Sequence, residues 1–108
     1  MAYFMTQFSY TSDAWAQMVK NPQDRSEVVR PLIEKMGGKL LGFYYSFGEY
    51  DGLIITEAPN EKAVVASLMA AISAGHLKTV KTTVLFSNKD AMEAMKKAGE
   101  FAYQVPQG

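Results

Sequence analysis

The chain has 108 residues, with 11 basic and 11 acidic side chains and therefore no formal net charge. That length holds one core, and the neutral balance argues against a nucleic-acid binder or a polybasic membrane attachment. The absence of cysteine excludes disulfides and thiolate nucleophiles and favours a reducing compartment. No signal-peptide pattern or membrane-spanning run is recognisable. We expect a cytoplasmic protein with no nucleic-acid or membrane partner.

The first third of the chain predicts a strand and two helices. Residues 2–10 alternate as a half-buried strand does, with one face made of Phe4, Thr6, Phe8 and Tyr10. A short helix is expected to begin at Ser12 or Asp13 and to end before Pro22. Residues 24–36 predict a second helix that Asp24 caps and Pro31 bends. Its apolar stripe is Val28, Val29, Leu32, Ile33 and Met36.

The remaining two thirds predict a hairpin, a helix, a strand and a last helix. Residues 39–47 and 53–58 read as strands around a loop with glycine at both ends. The third helix begins at Asn60, and its apolar stripe is Val64, Val65, Leu68, Met69 and Ile72. Residues 77–87 predict the fourth strand, and Asn88 caps a short helix.

The order of these elements predicts an α+β fold of the ferredoxin-like βαββαβ type. Right-handed crossovers would give a four-stranded antiparallel sheet with the main helices on one face and an extra C-terminal helix. We expect one domain over residues 1–101 and a C-terminal tail over 102–108.

Both faces of the predicted sheet are apolar, although two helices cover only one. Alternation in the second strand places Leu41, Phe43, Tyr45 and Phe47 on one side and Leu40, Gly42 and Tyr44 on the other. An uncovered apolar face is costly in water. We therefore expect a homodimer or a higher oligomer that packs sheet on sheet. Such packing can enclose a cavity lined by aromatic side chains. The sequence does not decide which face of the sheet carries that cavity.

The hairpin carries a recognisable motif. Gly48-Glu49-Tyr50-Asp51, preceded by the segment at 37–44, resembles the GYD domain family, and the likeness extends over residues 3–97. The resemblance implies a dimeric α/β barrel with a ferredoxin-like fold, and it implies no particular activity. Pro31 and His76 depart from the family pattern.

Two interpretations of Tyr50 and Asp51 are open. In one, a phenol and a carboxylate at a cavity rim orient a polar ligand or relay a proton. In the other, Asp51 bonds to backbone in the turn and Tyr50 packs over the hairpin.

His76 is the one histidine, and it lies between the third helix and the fourth strand. Related dimeric barrels include cofactor-free cyclases and monooxygenases, some of which use a histidine near this junction. His76 is thus a candidate general base, with a helix-capping or surface role as the alternative. One histidine cannot build a multi-histidine metal site, and the sequence has no clustered acidic ligand spacing. We expect no metal or cofactor.

Three functions are compatible with these residues. The favoured one is a homo-oligomer that binds a small hydrophobic or aromatic molecule; the candidate contacts are Phe8, Trp15, Phe43, Tyr44 and Tyr45. The second is a cofactor-independent enzyme of the cyclase, isomerase or monooxygenase type that uses His76. The third is a purely structural oligomer.

Overall fold

The computed structural model describes residues 1–101 and 105–106, and within them the chain forms four strands and four helices. In chain order these are β1 (Ala2–Tyr10), α1 (Ser12–Lys20), α2 (Arg25–Lys35), β2 (Lys39–Tyr45), β3 (Gly52–Ala58), α3 (Glu61–Ser73), β4 (Leu77–Leu85) and α4 (Asn88–Gly99). Of the tail predicted at 102–108, residues 102–104, 107 and 108 lie outside the described residues.

The four strands form one antiparallel sheet in the order β2-β3-β1-β4. The first strand is central, and its Phe4 pairs with Thr56 of β3 on one side and with Val84 of β4 on the other. This order confirms the predicted ferredoxin-like arrangement of an α+β domain.

One face of the sheet holds the core, as the alternation in β1 predicts. Phe4, Thr6, Phe8 and Tyr10 are all buried. Two small apolar clusters lie on this face. The first joins Phe4, Ala58 and Val64, and the second joins Phe8, Tyr10 and Ala14. Helices from three parts of the chain therefore cover the same side of the sheet.

The second strand departs from simple alternation at Leu41. Leu40 pairs with Thr56 and Gly42 pairs with Ile55, so Leu41 is an extra residue in the ladder. This β-bulge turns Leu40 to the helix-covered face, where it is buried, while Leu41 is 44% exposed. The predicted facing of Leu40 was therefore wrong, because a bulge shifts the period-two pattern by one residue.

Two of the four helices begin at the N-cap residue that the sequence predicts. Asp24 accepts a hydrogen bond from the Ser26 N–H at 2.9 Å, and Asn60 accepts one from the Ala63 N–H at 2.9 Å. The bonds from Ser26 lower the pKa of the Asp24 carboxyl. The other caps are Thr11 and Ser87, each one residue before the earliest predicted position. Both hydroxyls satisfy a free N–H of the first turn.

The predicted stripe on α3 is only partly buried. Val64 is buried and Leu68 is half-buried, but the other three residues of the stripe, Val65, Met69 and Ile72, are exposed. The helix is apolar around most of its circumference, so apolar spacing alone does not say which side faces the sheet. The residues of α3 that are buried or half-buried are Ala63, Val64, Ser67, Leu68 and Ala71.

The opposite face of the sheet, here called the open face, mixes apolar and polar side chains. The register places there Tyr3, Met5, Tyr44, Leu53, Ile55 and Leu85, beside Gln7, Lys39, Glu57 and Lys81. Most of the apolar ones are half-buried among their neighbours, while Tyr44 is 61% exposed.

The last helix is a separate, solvent-exposed element. Every residue of α4 except Ala91 is exposed, including Met92 and Met95. No helix in the described part of the chain has the length and apolar character that a bilayer crossing requires.

Candidate functional site

A cavity of about 350 Å³ lies between the sheet and helices α2 and α3. The strands contribute its floor and the two helices its walls. Its lining is mainly apolar: Phe8, Phe43, Ile54 and Leu77 from the sheet, Val28, Val29, Leu32 and Ile33 from α2, and Leu68, Ala70, Ala71 and Ala74 from α3 and its C-cap. This is the volume and the chemistry typical of a small-molecule pocket.

Three small residues of α3 and its C-cap, Ala70, Ala71 and Ala74, line the cavity. Ala71 is half-buried, whereas Ala70 and Ala74 are exposed, so the cavity opens to solvent along this part of the helix. The larger Val65, Met69 and Ile72 are exposed and do not line it.

One end of the cavity is polar. Tyr10, Arg25 and His76 line it, and the same three residues line an adjoining groove of about 290 Å³ along α1. They therefore stand where the apolar cavity meets the groove. Thr6 and Ser67 add hydroxyl groups to the cavity wall.

Arg25 occupies the first position of α2 and is half-buried. Its Nε atom is fully buried and has no hydrogen-bond partner among the described residues. A buried donor without a partner is unusual in folded proteins, because it loses its bonds to water and gains nothing in return. The half-buried side chain nevertheless lines the cavity.

Tyr10 is the neighbour of Arg25 at this polar end. Its ring is 8% exposed, and its Oη atom lies 3.5 Å from that of Tyr45, a long hydrogen bond. Burial raises the pKa of the Tyr10 phenol well above its ordinary range, the bond to Tyr45 raises it further, and the nearby Arg25 guanidinium lowers it by less. Tyr10 is thus a neutral hydrogen-bonding group at physiological pH.

His76 follows Gly75, whose positive φ of 86° ends the helical segment. Its backbone carbonyl accepts a hydrogen bond from the Thr11 N–H at 3.0 Å, which ties the start of α1 to the start of β4. The imidazole is exposed and lines both the cavity and the groove. Its position at the cavity mouth agrees with the placement that the sequence suggested.

Asp51 connects three segments of the chain through its hydrogen bonds. Its Oδ2 atom accepts hydrogen bonds from the Tyr10 N–H at 2.9 Å and from the indole N–H of Trp15 at 3.0 Å. Its own N–H donates to the Phe8 carbonyl, and its carbonyl accepts from the Ser46 N–H, both at 2.9 Å. The motif carboxylate therefore bonds across the fold to β1 and α1, rather than within its own turn.

Tyr50 lies in the hairpin loop and is half-buried. Its carbonyl accepts hydrogen bonds from the Gly48 N–H at 3.1 Å and the Ser46 hydroxyl at 2.9 Å. Neither Tyr50 nor Asp51 is among the residues that line the cavity.

The aromatic residues predicted to contact a ligand divide into three groups. Phe8 and Phe43 line the cavity and pack edge to face, with centroids 5.6 Å apart. Tyr45 and Trp15 belong to an aromatic cluster beside it, in which Trp15 packs edge to face on Tyr10. Tyr44 lies on the open face. The structure therefore brings Phe8, Phe43 and His76 to one cavity and places Tyr44 away from them.

Sequence reasoning did not single out Arg25 or Tyr10 as site residues. The alternation in β1 assigned Tyr10 only to one face of that strand. Arg25 follows a capping aspartate, a position where a charged side chain is ordinarily solvated. A first-turn arginine followed by the apolar stripe of α2 was the one available signal.

Comparison with known proteins identifies relatives of the sequence and of the fold. A model of the GYD domain family matches residues 4–95. A Thermus thermophilus protein, named glutamine synthetase and cystathionine beta-lyase binding protein, is 29% identical over 80 residues, which are 74% of this chain and 84% of that protein.

Three solved structures share the architecture. MtbAldR matches with a TM-score of 0.54 at 15% identity, over 81% of this chain and 53% of its own. TTHA0845 from Thermus thermophilus matches with 0.52 at 11% identity, over 81% and 95%. The hypothetical protein PHS023 from Pyrococcus horikoshii matches with 0.50 at 13% identity, over 82% and 93%. At these identities the likeness establishes the fold alone.

Proposed function

The chain belongs to the GYD domain family, and from the cavity described above we propose that it is a self-associating protein that binds a small apolar molecule between α2, α3 and the sheet. The observation that carries this proposal is the cavity of about 350 Å³, whose walls are mainly aliphatic and aromatic. Ligand pockets of about 300–1,000 Å³ with this kind of lining are typical of small-molecule sites.

The proposed pocket lies within one protomer. The sequence predicted a chamber between two sheets, and that chamber stays a prediction. The ligand proposed here contacts the helix-covered face, where Phe8 and Phe43 form part of the pocket. The residues that line it all belong to one copy of the chain, whether or not a second copy binds.

Self-association is proposed for the open face. Met5, Leu53 and Ile55 lie side by side there on adjacent strands, because Met5 pairs with Ile55 and Leu53 pairs with Gln7. Covering such side chains yields roughly 1.5–3 kcal/mol for each fully buried one. A second copy offers the same apolar strip about a two-fold axis, which is the commonest symmetry of soluble oligomers.

The name of the Thermus thermophilus relative supports a binding role. That protein is named for two enzymes that it binds and not for a reaction. From this name we take only the general idea that a protein of this fold can act by binding another protein. An enzyme partner would then bind one of the exposed surfaces of this chain.

A cofactor-independent enzyme is the second candidate function, and the placement of His76 favours it. The imidazole lines the cavity mouth, where it would reach the polar end of a bound substrate and remove a proton from it. Binding ranks first because the structure shows no hydrogen bond that orients this imidazole among the described residues.

The test fills the cavity and leaves the fold in place. Ala71→Leu adds a larger side chain to the lining, and Ala66→Leu adds the same group to an exposed position of the same helix. Binding of small apolar probes such as octan-1-ol, followed by NMR chemical-shift changes, is expected to be lost in the first variant and kept in the second. Equal binding by both variants, or none by the wild type, would contradict the proposal.

A further inference from the structure

Arg25 is the feature that the proposed apolar ligand does not explain. Its Nε atom is buried without a partner among the described residues, although the residue lines the cavity, the α1 groove and a third depression beside β2. A purely apolar molecule would leave the guanidinium charge beside it without a counter-charge. An anionic group on the ligand would supply one.

The cavity and the adjoining groove are lined by basic side chains and by no acidic one among the described residues: Arg25 and His76 line both, and Lys20 lines the groove. Asp24 lines only the third depression, beside β2. The nearest capping carboxylate, Asp24, accepts its hydrogen bonds from Ser26. An anionic group is therefore the complementary occupant.

We infer that the ligand of this cavity is an organic acid, whose carboxylate pairs with Arg25 while its apolar body lies between α2, α3 and the sheet. This inference rests on the proposed function. A carboxylate suits a single arginine because the planar guanidinium donates two parallel hydrogen bonds to its two oxygens. The hydroxyl of Tyr10, at the same end of the cavity, is a further donor that stays protonated at neutral pH.

The shape of the cavity supports this orientation of the ligand. Its apolar lining comes from α2, α3 and the sheet, while its basic side chains, Arg25 and His76, lie at the end shared with the groove. An amphipathic acid would leave its tail in the part without charges. Its head would then lie beside the guanidinium of Arg25.

The test compares acids with alcohols that carry the same tail. The probes are 3-phenylpropanoate with 3-phenylpropan-1-ol and octanoate with octan-1-ol, titrated calorimetrically into the full chain at neutral pH. We expect each acid to bind the wild type at least about tenfold more tightly than its alcohol, as a charge-assisted bond would give. Arg25→Gln is expected to abolish this preference and to leave alcohol affinity within about twofold.

The control is Arg30→Gln, which removes the same charge from the same helix at a residue that does not line the cavity. It is expected to keep the preference for acids. Equal affinity of the wild type for acid and alcohol, or an intact preference in Arg25→Gln, would overturn the inference while the apolar cavity remained supported. Failure of all four probes to bind the wild type would overturn the cavity proposal as well.

Discussion

The carboxylate of Asp51 accepts a hydrogen bond from the indole N–H of Trp15 at 3.0 Å, although the two residues are 36 positions apart. The same Oδ2 atom accepts from the Tyr10 N–H. One side chain of the β2–β3 hairpin thus connects the end of β1 with α1. Both donors belong to the protein itself, so the carboxylate has a structural role, although its bonds leave the turn in which the sequence analysis expected them.

Replacement of Asp51 is expected to destabilise the fold. Asp51→Ala leaves the indole and the Tyr10 amide without an acceptor, and we expect the free energy of unfolding to fall by about 2 kcal/mol. Urea denaturation measures this loss. Glu49→Ala, an exposed residue of the same loop, is the control and should stay within about 0.5 kcal/mol of the wild type.

The Asp51–Trp15 contact itself is measurable by a double-mutant cycle. Trp15→Phe removes the indole donor and keeps a ring. If the two side chains interact as the structure shows, the double variant is destabilised by less than the sum of the two single changes. Strict additivity would mean that this bond contributes nothing to stability.

Gly52 is expected to tolerate no side chain. A Cβ atom there would lie 2.7 Å from both the Phe8 ring and the Tyr44 carbonyl. Gly52→Ala should therefore lower stability by about 1–3 kcal/mol. Gly48→Ala is the matched variant, since a Cβ at that position meets nothing within 4 Å. Equal melting temperatures for the two variants would show that the hairpin relaxes around the added methyl group.

Alkaline pH is expected to destabilise the protein through Tyr10. Burial raises the pKa of this phenol above its ordinary value of 10.0, so above pH 10 the unfolded chain loses a proton that the folded chain keeps. Stability contributed by the neutral phenol is complete below pH 10 and falls as the pH rises beyond it. Tyr10→Phe should flatten this part of the stability profile, and Tyr44→Phe on the open face should leave it unchanged.

A charge on the open face is expected to dissociate the oligomer. Ile55→Lys places an ammonium group in the apolar strip formed with Met5 and Leu53. Sedimentation should show the wild type as at least a dimer and the variant as a 12.0 kDa monomer. Val65→Lys, at an exposed position on α3, should remain associated. A monomeric wild type at micromolar concentration would remove the proposed interface.

Most of the fold could be predicted from the sequence because the patterns that indicate its strands and helices are local. The alternation of β1 and the capping by Asp24 and Asn60 each depend on a few neighbouring residues, and the structure shows all three. The facing of Leu40 could not be predicted, because a bulge at Leu41 depends on pairing with β3.

The candidate site was predictable only in part. His76 and Phe43 drew attention by residue type and position. The cavity itself depends on which side of α3 faces the sheet, and an apolar pattern around most of that helix does not reveal this. The meeting of Tyr10, Arg25 and His76 joins three distant segments, so it follows from the tertiary fold rather than from any spacing in the sequence.

The location of a bound probe decides between the cavity and the open face as the binding site. Intermolecular NOEs can be recorded between octan-1-ol and the methyl groups of the isotope-labelled protein. We expect contacts to Ala71, Leu68 and Val29, which line the cavity. Contacts confined to Leu53 and Ile55 on the open face would contradict this expectation, because the ligand would then lie on the side of the sheet that the helices leave free.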